Sequence, residues 1–147
     1  MKRDVLISVR GLQLVTEEGN RAGTEQIESF TSGVYYEKDG RHYVLYEERM
    51  EGVETPVKNT VKFAPGSLEL IRKGFVNAHM VFEENKKNKA VYQIPYGSIP
   101  LEIDTKKIHI ARESEGITVH VDYVLDIGYD VLTDCSLVME IRFKENG

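Results

Sequence analysis

Arg72 raises the sharpest chemical question in this chain. It shares strand parity with Leu68 and Leu70, so an extended segment turns it toward the apolar side. A guanidinium taken out of water is costly unless an acceptor or an anion meets it. Three outcomes are open: it reaches solvent at a rim, pairs with an acid, or holds an anionic group of a ligand. Glu47 has the parity of Tyr43 and Leu45 and is the candidate acid. Tyrosine is the commonest aromatic: Tyr35, Tyr36, Tyr43, Tyr46, Tyr92, Tyr96, Tyr123 and Tyr129. Its ring offers apolar area with a polar tip, which suits a cavity wall as well as a packed core. The candidate ligand-contacting residues are Tyr43, Arg72, Met80, Tyr92 and Tyr123.

The other reactive side chains form no recognisable constellation. His42, His79, His109 and His120 lack the close ligand spacing that zinc requires. His120 with Asp122, and His109 with Lys107, occupy polar strand parity and are expected to be solvated. Glu102 and Asp104 share a face, where two carboxylates do acid–base work only if their environments split their pKa values. Cys135 stands beside Asp134, and a carboxylate raises a thiol's pKa, so an inert thiol is expected. There is no nucleophile elbow, phosphate loop or dinucleotide fingerprint. No catalytic residue, metal ligand or cofactor is expected, and an enzyme is the least favoured class.

Length and composition narrow the rest. The 147 residues are 41% hydrophobic and 29% charged, which suits one folded domain over 1–147. A chain of this size buries roughly 70% of its unfolded surface, enough for a core without disulfides. The net charge of −5 argues against a nucleic-acid partner. Lys86, Lys87 and Lys89 are the one short basic cluster, expected at a hairpin tip. A single cysteine, with no apolar leader and no membrane-length run, points to the cytoplasm.

Positioning falls to strands, because the dominant period is two. Val57, Asn59, Val61 and Phe63 share one parity, as do Val76, Ala78, Met80 and Phe82. Ile117 to Ile127 and Leu137 to Phe143 alternate in the same way. Turn residues punctuate them: Asp39-Gly40, Pro65-Gly66, Lys73-Gly74, Pro95-Tyr96-Gly97 and Glu115-Gly116. About ten strands follow, near 4–15, 25–37, 41–50, 56–64, 67–73, 75–84, 89–95, 99–111, 116–127 and 135–145. The segments Thr16 to Thr24 and Asp126 to Asp134 are expected as loops.

Parity switches between Val9 and Leu12, and again between Ile103 and Ile108, as a β-bulge requires. Bent strands without helical cover favour closure into an all-β, single antiparallel meander barrel, with a sandwich as the competitor.

The stretch from Gly66 through Gly74 comes first, then Met80-Val81-Phe82 and Tyr92-Gln93-Ile94-Pro95-Tyr96-Gly97, with Val121 to Leu125 later. In this order they resemble the YwiB-like family of uncharacterised bacterial proteins. The resemblance implies a lipocalin-like (calycin-type) barrel in a cytoplasmic protein and carries no established activity. The chain departs from better-known barrels. It has no Trp for a lipocalin Gly-x-Trp motif or for an avidin-like biotin site. Its last strand reads Arg142-Phe143-Lys144 where fatty-acid-binding barrels have Arg-x-Tyr. Two functions are carried forward. One is a barrel that holds a small, partly apolar ligand inside. The other is a packed barrel that works as a protein-interaction or structural module. For the second, Tyr36, Tyr46, Val81 and Val124 are the candidate outer patch, and a homodimer is open.

Overall fold

The structure is a computed structural model that describes residues 2–11, 28–49, 52–127 and 132–144. These residues form ten strands and no helix. They are β1 (Arg3–Arg10), β2 (Glu28–Lys38), β3 (Arg41–Glu48), β4 (Val57–Ala64) and β5 (Ser67–Lys73). β6 (Asn77–Glu83), β7 (Lys86–Ile94), β8 (Gly97–Glu113), β9 (Gly116–Asp126) and β10 (Leu132–Phe143) complete the set. Each strand pairs antiparallel with the next, and β1 also pairs with β10, so the sheet closes into a barrel. The closing ladder runs from Val5↔Phe143 to Arg10↔Val138. The expected antiparallel meander barrel is thus the observed fold.

Some boundaries differ. β7 begins at Lys86, so Lys86, Lys87 and Lys89 lie on a strand opposite Thr105, Asp104 and Glu102 rather than at a tip. β10 begins at Leu132, because the ladder with β9 extends to Leu132↔Asp126, inside the segment expected as loop. Leu12, Leu14, the Thr16–Thr24 loop and Tyr129 lie outside the described residues.

The inner face carries the core. Val5, Ile7, Val44, Val61, Phe63, Leu68, Leu70, Phe82, Ile103, Val121, Leu137, Met139 and Ile141 belong to one contiguous buried cluster. Alternation explains the selection, since every second side chain of a closed sheet faces the axis. The long strand β8 keeps its apolar residues inside on both halves only because a bulge intervenes. Its register with β9 shifts between Thr105 and Lys107, where parity passes from Ile103 to Ile108. A bulge leaves backbone groups outside the ladder. Here the Ile108 N–H donates to the Glu84 carboxylate at 2.9 Å, and Asn85 N–H donates to the Thr105 carbonyl at 2.9 Å.

The two ends of the barrel differ. One end joins β2–β3, β4–β5, β6–β7 and β8–β9 by two-residue turns. The β2–β3 turn has Asp39 at φ 53° and Gly40 at φ 78°, as a type I′ hairpin demands. The opposite end carries the connections 11–27, 49–56, 74–76, 95–96 and 127–131. We refer to these as the turn end and the loop end. Aromatic rings fill the turn end. His42 stacks on Phe63 with centroids 4.8 Å apart and on Tyr35 at 5.9 Å, and Tyr35 leans on Phe143 at 5.6 Å.

His42 is buried, and the Tyr35 hydroxyl lies 2.7 Å from its Nδ1. Burial, reinforced by the Glu37 carboxylate, raises the Tyr35 pKa, so the phenol stays protonated and donates to a neutral imidazole. Burial lowers the His42 pKa below 6.5, with Glu37 opposing the shift.

Two predictions follow from this geometry. The unfolded chain binds a proton at His42 more readily than the folded one, so stability is complete above about pH 6.5 and falls as pH drops below it, by at most about 1.4 kcal/mol per pH unit. Urea midpoints between pH 7.5 and 5 should show this slope in the wild type and lose it in His42→Phe; parallel profiles would contradict it. Glu84→Ala should cost about 1–3 kcal/mol by stranding the Ile108 N–H, and Glu84→Gln clearly less.

Candidate functional site

At the loop end, one row of inward side chains crosses five strands. Register pairs Tyr46 with Asn59, Asn59 with Arg72, Arg72 with Ala78, and Ala78 with Tyr92. β5 and β7 are separated by β6, roughly 10 Å from strand to strand. Arg72 and Tyr92 still touch, because the side chain between them is the single methyl of Ala78. The Arg72 Nη1–H donates to the Tyr92 hydroxyl at 2.6 Å.

The rest of the guanidinium is held as closely. Its Nε–H donates to Asn59 Oδ1 at 3.1 Å, and Nη2–H to Glu48 Oε1 at 2.9 Å. Asn59 Nδ2 donates to the same Glu48 oxygen at 3.0 Å, which fixes the amide's orientation. Asn59 is 2% exposed. The Arg72 side chain is 10% exposed and that of Glu48 35%. Burial raises the Tyr92 pKa, the Arg72 charge opposing it, so the phenol remains a hydrogen-bond donor. Tyr46 lies below in the core, its pKa raised strongly by burial and further by Glu48. The cluster contains no nucleophile paired with a base. It offers a cation, a phenol O–H and a carboxylate, which is equipment for holding a polar group.

Arg72 and Tyr92 are therefore brought together. Met80 and Tyr123 face inward in the same core, Tyr123 edge-on to Phe82 with centroids 5.0 Å apart. Tyr43 does not join them: it lies on the outer wall, stacked on Tyr36 at 4.7 Å. Glu47 also faces outward, and the acid on Arg72 is Glu48. The reason is the two-residue turn, which pairs Lys38 with Arg41 and hence Tyr35 with Val44 and Gly33 with Tyr46. With Tyr35 inside, His42, Val44, Tyr46 and Glu48 must be inside too. Tyr46, 6% exposed, thus drops out of the outer patch expected with Tyr36, Val81 and Val124.

Glu48, Asn59 and Ala78 went unrecognised as site residues. Asn59 had a signal, a polar residue in an otherwise apolar parity. Glu48 had none, because both faces of its strand read as apolar.

Elsewhere the reactive groups stay apart. His79 meets Glu69 on the outer wall. His120 Nε2 lies 2.7 Å from Ser136 Oγ and 3.1 Å from Asp122 Oδ1. A hydrolytic triad needs the carboxylate on the other ring nitrogen, so this exposed trio lacks the geometry. The Cys135 pKa is raised by burial, which leaves a poor nucleophile. Among the described residues no three His, Cys, Asp or Glu side chains gather as a metal site would require.

The fold and this network define a closed ten-stranded barrel with a charged anchor inside one end. Comparison with known proteins places the chain in a family. Residues 7–139 match the family described as Domain of unknown function (DUF1934), and the chain belongs to it. It is 27% identical over 128 residues to the uncharacterized beta-barrel protein YwiB of Bacillus subtilis (strain 168), covering 87% of each chain. The crystal structure of the ywiB protein from Bacillus subtilis superposes with a TM-score of 0.79 at 23% identity. That likeness covers 98% of this chain and 94% of the other. The protein is thus a β-barrel protein of this family.

The network's energetics can be checked directly. Tyr92→Phe leaves Arg72 Nη1 without its acceptor and should cost about 1–3 kcal/mol in urea unfolding. Ala78→Leu should cost a similar amount, about 1–3 kcal/mol, by filling the space through which the two side chains meet. Wild-type stability in both variants would mean that this contact does not form.

Proposed function

We propose that this protein is a binding module that takes a small, partly apolar ligand at the loop end of its barrel, with Arg72 as the polar anchor. One observation carries the reading: a nearly buried guanidinium points inward and is fixed by groups from three other strands. For stability alone, a packed apolar layer would serve as well or better than a buried ion pair. Ligand sites, in contrast, combine apolar walls with a few placed polar groups. The apolar part is at hand. Ile99 pairs with Tyr92 in register, and Phe75 and Tyr96 stand exposed in the connections that follow the strands of Arg72 and Tyr92. The barrel is read as lipocalin-like in this sense, acting in the cytoplasm, where Cys135 stays a thiol.

A second reading rests on the outer wall. Leu6, Phe30 and Leu45 are exposed around Val34 on β1, β2 and β3, a surface that suits a protein partner or a second copy of the chain. Concentration-dependent sedimentation that Phe30→Ser abolishes would favour it.

Native mass spectrometry of gently purified protein tests the first reading. A co-purifying small molecule should accompany the wild type and be lost from Arg72→Met. A ligand at a hundred times its Kd adds about 2.7 kcal/mol, so Tm should rise by about 5–10 °C in a panel of small amphiphiles. A bare mass together with no thermal shift across the panel would overturn the reading.

A further inference from the structure

We infer that Glu48 is a built-in stand-in for the ligand's own head group, and that the ligand is a monocarboxylate with a short apolar tail that takes the place of Glu48 on Arg72. The inference rests on the reading of the loop end as a binding site and adds the chemical class of its occupant.

The two partners of the ion pair are unequally held. Arg72 is 10% exposed and is tied by three hydrogen bonds to three different side chains. Glu48 is 35% exposed, is the last residue of β3, and contacts the cluster through Oε1 alone. Among the described residues, both of its hydrogen bonds are made through Oε1. Rotating Glu48 outward therefore returns one carboxylate to water at the barrel rim, where it is well solvated. Rotating Arg72 outward would break three hydrogen bonds and take the donor from Oδ1 of Asn59, a residue only 2% exposed. If either partner yields to a newcomer, it is Glu48.

The position left behind defines what replaces it. Two donors converge there, Arg72 Nη2–H and Asn59 Nδ2–H, and the group they hold now is a carboxylate oxygen. A second carboxylate keeps both hydrogen bonds and the neutral charge balance. A neutral alcohol leaves Arg72 uncompensated in a partly buried place. A phosphate dianion brings a second negative charge, for which the cluster holds no second cation. The nearby lysines, Lys58 and Lys73, pair with each other in register on the exposed outer wall. Tyr92 accepts from Arg72 Nη1 and so holds the guanidinium in place while Nη2 meets the newcomer.

Titration calorimetry with octanoate, octanol and octyl phosphate on the wild type, Glu48→Gln and Arg72→Gln tests this, each fold being checked by circular dichroism. Glu48→Gln removes the competing charge at a partly exposed strand end. It should bind octanoate at least tenfold more tightly than the wild type, with octanol affinity unchanged within twofold and octyl phosphate weaker than octanoate. Arg72→Gln should lose octanoate selectivity. In the wild type, octanoate should shift the side-chain carboxylate ¹³C resonance of Glu48, a readout that needs no variant to fold. Equal binding of octanoate and octanol by every form would overturn the carboxylate assignment and leave the binding module standing. Octanoate binding with no movement of the Glu48 resonance would also overturn the displacement. No binding of any probe by any form would overturn both readings.

Discussion

Closure of the sheet is the constraint on which everything else in this molecule depends. Ten antiparallel strands leave no free edge once β1 pairs with β10, and closure divides side chains into an inner and an outer set with no third choice. The inner set excludes water, so a residue's parity decides whether it is core or surface. The same rule makes polar inner residues conspicuous. Asn59, Arg72 and His42 have each been forced to find partners inside, and the partners they found define the two ends of the barrel.

The ends have been given different work. At the turn end, two-residue turns join the strands, and the rings of Tyr35, His42, Phe63 and Phe143 pack together. At the loop end every connection except 95–96 is longer, and the inner layer takes in Asn59, Arg72 and Glu48. Ala78 is the inconspicuous residue of that layer: its smallness lets side chains two strands apart join into one network. A barrel stabilised only by burial would gain from continuing the apolar layers to the rim. The charged network in that layer, its acid more exposed than its guanidinium, is the feature on which the proposed binding function rests.

Much of the fold was legible in the order of residues. The bulge in β8 could be read from the passage of Ile103 to Ile108 through opposite parities, and the Asp39-Gly40 hairpin from its turn chemistry. Arg72 and Tyr92 stood out as an inward cation and a wall aromatic. What could not be read was the facing of β3. Tyr43 and Leu45 on one side are as apolar as Val44 and Tyr46 on the other, so composition does not choose between them. The choice is made by the register of the hairpin with β2, a tertiary fact, and a one-residue error moves every side chain to the other face. That is how Glu47 took the place of Glu48, and Tyr43 that of Tyr46. Ala78 carries no chemistry of its own, and only the neighbours that it separates reveal its part.

The central claim is that Arg72 is held inside the loop end to receive a ligand. A crystal structure of the protein taken directly from its expression host, without refolding, tests it most directly. The account predicts non-protein electron density within about 3.2 Å of the Arg72 guanidinium, with Glu48 turned toward solvent. Arg72 still closed on Glu48, Asn59 and Tyr92, with protein side chains packed over it and no added density in the native protein or after soaking with octanoate, would contradict the account.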